Sequence, residues 1–425
     1  MSLRDHPLRQ QLANELHARP FPTLEAPCRA AFLALAPERD GAGRDRAAER
    51  AHLLALLDRF GADHPPPDAT HFFGPLGRHR LKWESHTEFE TYTLFTDGVA
   101  DRPFDPASFD AFPADWLAAA PGCRIASALI RVEGPAPEAE VAAKLADWFV
   151  PESLAAAEVL GGSATVASDF RIDAGGHVRI AVFAADGTGA QRVGRIVQRL
   201  CEIEVYRTLA MLALPEARRL GAEATRLDGA LSGVIESLRA GEAETEGALD
   251  GLLAIGSELE TMLARSAFRF GAQEAYEALV NQRVSVLRET RLGGRQTLAE
   301  FMMRRFDPAM RTCRSTQARL EALAERARNA GDLLSTRVNV ERAAQNAALL
   351  RSMDARAEAA LRLQRTVEGL SVVAISYYAV SLVGYLLYPV AGRLGVPKEM
   401  LLAGAVVPVV LLVWLGLHGV RKRME

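Results

Sequence analysis

The chain has 425 residues, which is long enough for more than one folded unit. Its composition is ordinary, with 49% hydrophobic and 24% charged residues, and a formal net charge of -3 gives no reason to expect a nucleic acid partner. The four cysteines are scattered and form no C-x-x-C pair, which argues against a disulfide framework or a zinc ribbon and favours reduced thiols.

Residues 1–190 mix strand patterns with helix patterns. The first 20 residues contain no apolar run of signal-peptide length, so we expect no export signal there. Amphipathic helices are predicted at 44–60 and 137–149. These elements together predict an α+β cytoplasmic domain over 1–190. Its predicted strands lie at 28–37, 79–95, 123–133 and, with a turn at Gly175-Gly176, across 163–186.

Potential metal ligands occur within the predicted strand at 79–95. If residues 82–92 form one strand, Glu84, His86 and Glu88 share a face with Glu90. Carboxylates and an imidazole on one face could bind a divalent cation, the one cofactor that the sequence suggests. An exposed face of an antiparallel strand produces the same alternation, and we favour that interpretation.

From about residue 191 the pattern becomes helical and remains so to residue 368. Apolar residues recur at three-to-four spacing, and Pro215, Gly293-Gly294 and Pro308 separate long elements. We therefore predict a helical stalk or bundle over 191–368. Arginines between 283 and 314 alternate with acidic residues, which is typical of a solvated or salt-bridged helix surface; contact with anionic lipid is the alternative.

One long helix is predicted to lead into the apolar C-terminus. Residues 332–388 contain no proline and only two glycines. A seam at three-to-four spacing runs along this helix and indicates a coiled coil or bundle, and hence a homo-oligomer. The apolar or small members of the seam are Leu350, Met353, Ala357, Ala360 and Val367, and its polar members are Asn339, Asn346 and Gln364.

Two apolar runs close the sequence, at about 369–390 and 400–420. Each has roughly the 20 residues that a helix needs to cross the hydrocarbon core of a bilayer. The connector, 391–399, is short and holds Gly392, Gly395 and Pro397, which favour turns. We therefore predict a C-terminal hairpin of two transmembrane helices in 369–425.

Cationic residues flank the two spans on the sides away from the connector. Four arginines between 351 and 365 precede the first span, and a cationic cluster at 421–423 follows the second. The connector carries only Arg393 and Lys398. The positive-inside bias therefore predicts that both termini are cytoplasmic, with the lipid bilayer as a partner.

The register of the seam continues into the first span as a polar stripe. Polar groups that face lipid are unfavourable, so the stripe should face protein or water. We favour helix packing, against the second span or against a sister subunit; the alternative is the lining of a pore. The stripe consists of Ser371, Tyr378, Ser381, Tyr385 and Tyr388.

Signatures of common enzymes are absent from the sequence. It contains no G-x-x-x-x-G-K-[ST] loop, no G-x-S-x-G elbow and no H-E-x-x-H helix. We therefore expect no enzymatic activity and assign no catalytic residue.

Several phrases distributed along the chain carry a family resemblance. They are NELHARPF at 14–21, LKWESHTEFETYT at 81–93, QRLCEIEVYRTLAMLALPEAR at 198–218, RRFDPAMRTC at 304–313 and LQRTVEGLSVVAISYY at 363–378. Together they resemble a bacterial family of membrane-anchored proteins of unknown function (DUF3422). The resemblance covers nearly the whole chain. It implies a location in the bacterial inner (cell) membrane and supplies no activity.

A second resemblance is architectural. A cytoplasmic α/β domain, a very long helix that enters the first span and a short connector to a second span resemble CorA-type magnesium channels. Those channels are homo-pentamers whose first span lines the pore, so the resemblance implies a CorA-like architecture. The Gly-Met-Asn signature expected at the end of the first span is missing here, and Gly384-Tyr385-Leu386 stands in its place.

Two functional hypotheses follow from the sequence. The first is an oligomeric CorA-like cation channel or transporter whose first span lines the pore. The second is a membrane-anchored scaffold or sensor whose cytoplasmic body binds a protein or a small ligand. The topology and the polar stripe favour the first hypothesis. The missing Gly-Met-Asn signature and the lack of carboxylates within the spans favour the second.

Overall fold

The computed structural model describes residues 5–15, 21–38, 43–240, 245–394 and 397–424. The contacts divide the chain into a body unit, Met1–Gly331, and a C-terminal unit, Asp332–Glu425. The predicted domain boundaries at 190 and 368 follow changes in sequence pattern and stay predictions.

Within the described residues, the strands of the body unit form one nine-stranded sheet. They are β1 Cys28–Ala36, β2 His71–Leu76, β3 His79–Ser85, β4 Glu90–Asp97, β5 Cys123–Glu133, β6 Ala155–Val159, β7 Ala164–Ile172, β8 Val178–Ala184 and β9 Thr290–Arg291. Their order across the sheet is β2-β3-β4-β1-β5-β8-β7-β6-β9. All neighbours are antiparallel except β5 and β8, which are parallel.

Helices of the described residues lie on both faces of the sheet and continue into the C-terminal unit. In the body unit, α5 packs on β5 and β8 and against α7, which also contacts α6. Their bounds are α1 Arg9–Glu15, α2 Arg46–Arg59, α3 Ala114–Ala118, α4 Glu138–Trp148, α5 Ala190–Met211, α6 Ala213–Ala240, α7 Thr245–Ser285, α8 Leu298–Arg305, α9 Asp307–Leu394 and α10 Lys398–Met424, with a short 3-10 turn at Pro106–Ser108.

The central strand β1 is buried on both faces, which explains its continuous apolar sequence. Its alternate side chains enter two separate cores. Phe32 packs in the core that includes Ile196 of α5 and Val280 of α7. Leu33 packs in the opposite core, which includes Leu53 of α2 and Trp116 of α3. The body unit is therefore a layer of helices on each side of a mixed sheet, and the α+β prediction for this region is confirmed.

Gly194 allows the chain near the N-terminus to cross α5 closely. A Cβ atom at this position would lie 1.6 Å from the carbonyl oxygen of Pro22. The backbone N–H of Leu24 donates to the carbonyl of Ala190 at 3.0 Å, and Leu24 is fully buried. Only glycine leaves room for this approach, which fixes residues 22–24 against the first turns of α5.

The prediction of one strand across residues 82–92 is wrong. The structure has a hairpin: β3 ends at Ser85, β4 begins at Glu90, and residues 86–89 form the turn. The N–H of His86 donates to the carbonyl of Phe89 at 2.8 Å and closes the turn. The two-residue alternation of charged groups continues through this turn, and no glycine or proline marks it, so the sequence pattern gives no signal of the break.

The C-terminal unit contains the rest of α9 and the whole of α10. Both helices have apolar windows long enough to cross a bilayer, with mean hydropathies of 1.9 and 2.6. Only 11% and 0% of the residues in these windows are buried within the chain, unlike the core helices of soluble proteins. The two predicted apolar helices at the C-terminus are thus confirmed as helices that are long and apolar enough to span a membrane.

Candidate functional site

The polar stripe of α9 is largely exposed within the chain. Tyr378 and Tyr385 are 68% and 80% exposed, and Ser371 is also exposed. The Ser371 hydroxyl donates to the carbonyl of Val367 at 2.8 Å, so its own helix satisfies it. Ser381 is half-buried. Tyr388 lies in α9, and its side chain is outside the described residues.

The second span occupies a different face of α9. Ser376 is buried, and its hydroxyl has no hydrogen-bond partner among the described residues. Gly384 is buried too, and a Cβ atom there would lie 3.4 Å from Leu402 of α10. Packing on α10 therefore does not account for the exposed tyrosines of the stripe. Whether they contact a sister subunit or line a water-filled pathway stays a prediction.

The stalk seam is exposed in the same way. Asn339, Asn346 and Gln364 are all exposed, and Gln364 donates to Glu368 on the next turn at 3.0 Å. The apolar members Leu350 and Met353 are 62% and 57% exposed. The chain alone therefore leaves this apolar surface open to solvent.

The three residues proposed as metal ligands are divided between a strand and a turn. Glu84 lies on β3 and pairs with Lys82 at 3.1 Å. Glu88 lies in the turn and accepts hydrogen bonds from Arg269 at 2.9 Å and from the Tyr276 hydroxyl at 3.1 Å. The His86 ring stacks on Phe89 with centroids 4.3 Å apart.

The Glu84 carboxylate is therefore paired with an ammonium group, and the Glu88 carboxylate is bonded to a guanidinium and a phenol. Among the described residues, no group of three or more His, Cys, Asp or Glu is placed to hold a metal ion. The single strand that was predicted to align the three side chains is not formed, and the metal site itself stays a prediction.

A buried polar network joins the hairpin β3–β4 to two helices. Lys82 is only 4% exposed, and its ammonium donates to Gln198 of α5 at 2.8 Å. Gln198 in turn donates to Glu202 at 2.8 Å, and Glu202 also accepts from Arg283 of α7. With Glu84, the network contains two cations and two carboxylates, so its formal charge is balanced.

The network surrounds a cavity of about 20 Å³, which is room for about one water molecule. Cys201 lies on its wall, and burial raises the pKa of that thiol, which keeps it protonated and unreactive. Balanced charge and the small volume indicate a structural clamp. The sequence signal that could have found it is the rarity of lysine, since Lys82 is one of only four in the chain.

Glu90 is a buried carboxyl that the sequence pattern assigned to a solvated face. It is 1% exposed, and one of its oxygens accepts from the Trp83 indole at 2.8 Å and from the Tyr92 hydroxyl at 3.1 Å. Desolvation raises its pKa to about 7, and the nearby Glu49 carboxylate acts in the same direction. The hydrogen bonds and Arg44 offset part of this rise.

The comparisons with known proteins place the chain in a family. No curated protein matches the chain, and no solved structure matches it. A family described as "Protein of unknown function (DUF3422)" matches residues 4–424, which is nearly the whole chain. The chain therefore belongs to the DUF3422 family of proteins of unknown function.

Proposed function

We propose that this protein is a homo-oligomer of the bacterial inner membrane, with cytoplasmic termini and a CorA-like arrangement in which α9 lines a cation pathway. The exposed stripe on α9 carries the proposal. It faces away from α10, contains hydroxyl groups, and lies in a helix that is long and apolar enough to span the bilayer.

The energetics of Tyr378 support a partner for the stripe. This residue lies near the middle of the predicted span at 369–390, and its side chain is 68% exposed in the chain. A hydroxyl that is moved from water to hydrocarbon without a hydrogen bond costs roughly 2–7 kcal/mol. A sister helix or a column of water would remove this cost, whereas lipid would not.

The continuity of the seam supports a second copy of the chain as that partner. Asn346, Met353, Ala360 and Val367 recur every seven residues, and the same column continues to Ser381 in the span. Copies in one membrane share an orientation, so their α9 helices run parallel and identical positions meet. A polar residue such as Asn346 at a core position of a parallel coiled coil fixes register and oligomeric state.

The chemistry of the stripe fits passage of a cation through oxygen dipoles. The first span contains no Asp, Glu, Lys, Arg or His, so no ring of charged side chains lies within it. Serine and tyrosine oxygens from several copies would replace part of the hydration shell of an ion. The proposal includes no catalysed reaction.

The second candidate is a membrane-anchored scaffold or sensor whose cytoplasmic body binds a partner. The lack of carboxylates within the spans and the missing Gly-Met-Asn signature favour it. The two candidates differ in one observable, which is ion flux through the purified assembly.

Flux in liposomes that contain the full-length protein and a magnesium-sensitive dye tests the proposal. The double variant Ser381→Leu/Tyr385→Leu is expected to abolish flux, and Tyr378→Leu to reduce it strongly. Leu386→Ala is the control, because Leu386 is similarly exposed, at 73%, but lies about 100° around the helix from Tyr385. Native mass spectrometry confirms that each variant assembles. Unchanged flux in an assembled double variant, or equal losses for Tyr378→Leu and Leu386→Ala, would contradict the proposal.

A further inference from the structure

A second cavity in the body unit lies where three elements meet, and its volume is about 290 Å³. Its walls come from the end of β7, the last turns of α5, and α8. Pockets for small ligands have volumes of roughly 300 Å³ upward and combine apolar walls with a few placed polar groups. This cleft has that size and that composition, because phenylalanines and arginines dominate its lining.

The aromatic wall depends on an unusual backbone conformation. The ladder between β7 and β8 is interrupted between Ser168 and Ile172, and Phe170 within the interruption has a φ of 52°. Left-handed backbone is unfavourable for a bulky residue and tends to occur at functional sites. The conformation stacks the Phe170 ring on Phe301 of α8, with centroids 4.5 Å apart and planes 28° apart.

Two of the charged groups near the cleft are already neutralised. The Asp169 side chain is fully buried and accepts from Arg179 at 2.9 Å and from the backbone N–H of Val150 at 3.1 Å. Arg207 donates to both oxygens of Glu204 at 2.8 Å. The Arg207 guanidinium lies 5.3 Å over the Phe170 ring, and its buried Nε–H has no hydrogen-bond partner in the described part of the chain.

Two further arginines of the cleft retain uncompensated charge. Arg171 is exposed, and its Nε–H donates at 2.8 Å to the hydroxyl of Ser153, which is neutral. Arg305 at the end of α8 is exposed and has no hydrogen-bond or ion-pair partner within the residues that the structure describes. The cleft therefore carries a surplus of two positive charges beside stacked aromatic rings.

We propose that this cleft binds a small phosphate ester that carries an aromatic ring, the chemistry of a nucleoside monophosphate. The planar forks of Arg171 and Arg305 donate to the phosphate oxygens, a geometry that guanidinium groups favour over an ammonium. The ring of the ligand packs on the exposed edges of Phe170 and Phe301. This inference goes beyond the proposed ion pathway, because it assigns a ligand to the cytoplasmic body.

Calorimetric titration of the full-length protein in detergent tests this assignment. The probes are AMP, GMP, CMP and UMP, with adenosine and inorganic phosphate as fragments that lack one half of the ligand. We expect at least one mononucleotide to bind, and both fragments to bind it about tenfold or more weakly. Benzoate distinguishes a carboxylate from a phosphate, and equal binding of benzoate would overturn the phosphate assignment.

Variants locate the binding to the cleft. Arg305→Gln is expected to weaken nucleotide binding about tenfold or more, because it removes a charge-assisted pair. Arg304→Gln is the matched control: it removes the same charge from the adjacent exposed position, which does not line the cleft, and should change affinity less than about twofold. Phe301→Leu should weaken the binding of that mononucleotide and leave the binding of inorganic phosphate unchanged.

Besides equal binding of benzoate, three results would overturn the proposal: no binding of any mononucleotide at millimolar concentration, equal losses in Arg304→Gln and Arg305→Gln, or binding of an acidic peptide in place of nucleotides. The readout is binding and not flux. A negative binding result would therefore not contradict the proposed ion pathway, and a negative flux result would not contradict this binding site.

Discussion

Relative to the wild type, the variant Glu90→Gln should gain stability in the body unit as the pH rises from 5 to 8. The glutamine amide nitrogen takes the place of Oε1, which has no hydrogen-bond partner among the described residues, and that cost is the same at both pH values. Glutamine retains an oxygen that can accept from Trp83 and Tyr92, as the Glu90 carboxyl does. It removes the charge that burial disfavours. Because the pKa of Glu90 is raised to about 7 from its ordinary value of 4.5, the folded protein holds a proton that the unfolded chain releases.

The sign and size of the effect follow from proton linkage. Below pH 4.5 both states bind the proton, and the stability that this preference provides is fully present. As the pH rises through about 7, the folded state also releases the proton, and that stability is lost. The difference between the two pKa values corresponds to about 3 kcal/mol in all, of which about 2.5 kcal/mol falls between pH 5 and pH 8.

Urea unfolding of the full-length protein in mild detergent, followed by tryptophan fluorescence, measures this difference. The free energy of unfolding of the variant minus that of the wild type should rise by about 2.5 kcal/mol from pH 5 to pH 8. Buried His52 and His177, whose pKa values are lowered by desolvation, make stability rise with pH, but they do so in both proteins and cancel in the difference.

Glu152→Gln is the control for Glu90→Gln, because it removes one carboxylate from an exposed turn of the same unit. The free energy of unfolding of this control minus that of the wild type should stay constant over the same pH range. If the difference for Glu90→Gln were also constant from pH 5 to pH 8, the inference that Glu90 is a buried carboxyl with a raised pKa would be refuted.

Three further predictions concern the clamp, the α5 crossing and the seam. Lys82→Met should destabilise the body unit by about 3–5 kcal/mol, because it leaves buried carboxylate and amide groups unpaired. Lys144→Met, which removes a partly exposed ion pair, should cost about 1 kcal/mol or less in the same urea assay. Gly194→Ala should lower the thermal unfolding temperature and increase hydrogen exchange near Pro22, since its Cβ would overlap that carbonyl. Asn346→Leu should make the oligomer more stable or change the number of copies in it, as measured by native mass spectrometry.

The parts of the fold that were predictable are those where burial alone decides the sequence. Strand β5 was predicted with its observed bounds, Cys123–Glu133, because a run of small and branched apolar residues has few alternatives in a chain of this composition. The two C-terminal helices were predictable for the same reason, since length and hydropathy define them.

The parts that were not predictable depend on contacts between distant residues. Glu90 alternates with Glu88 in the sequence, yet the turn at 86–89 sends Glu90 into a core and Glu88 toward Arg269. The arginine-lined cleft brings together residues 171, 207 and 305, which no spacing rule connects. The sequence predicts for Arg305 a solvated or salt-bridged helix surface, or contact with anionic lipid, because the neighbouring Phe301 gives no sign of a distant aromatic partner.

Disulfide cross-linking in native membranes tests most directly whether copies of α9 meet along the seam. Ala357→Cys lies on the seam, Ala355→Cys lies two residues away on the opposite face, and both positions are exposed in the chain. The background is Cys123→Ser, which removes the exposed native thiol; the other three cysteines are buried. Our account predicts efficient dimeric cross-links for Ala357→Cys and few for Ala355→Cys. Equal cross-linking at the two positions, or none at 357, would contradict a shared α9 interface.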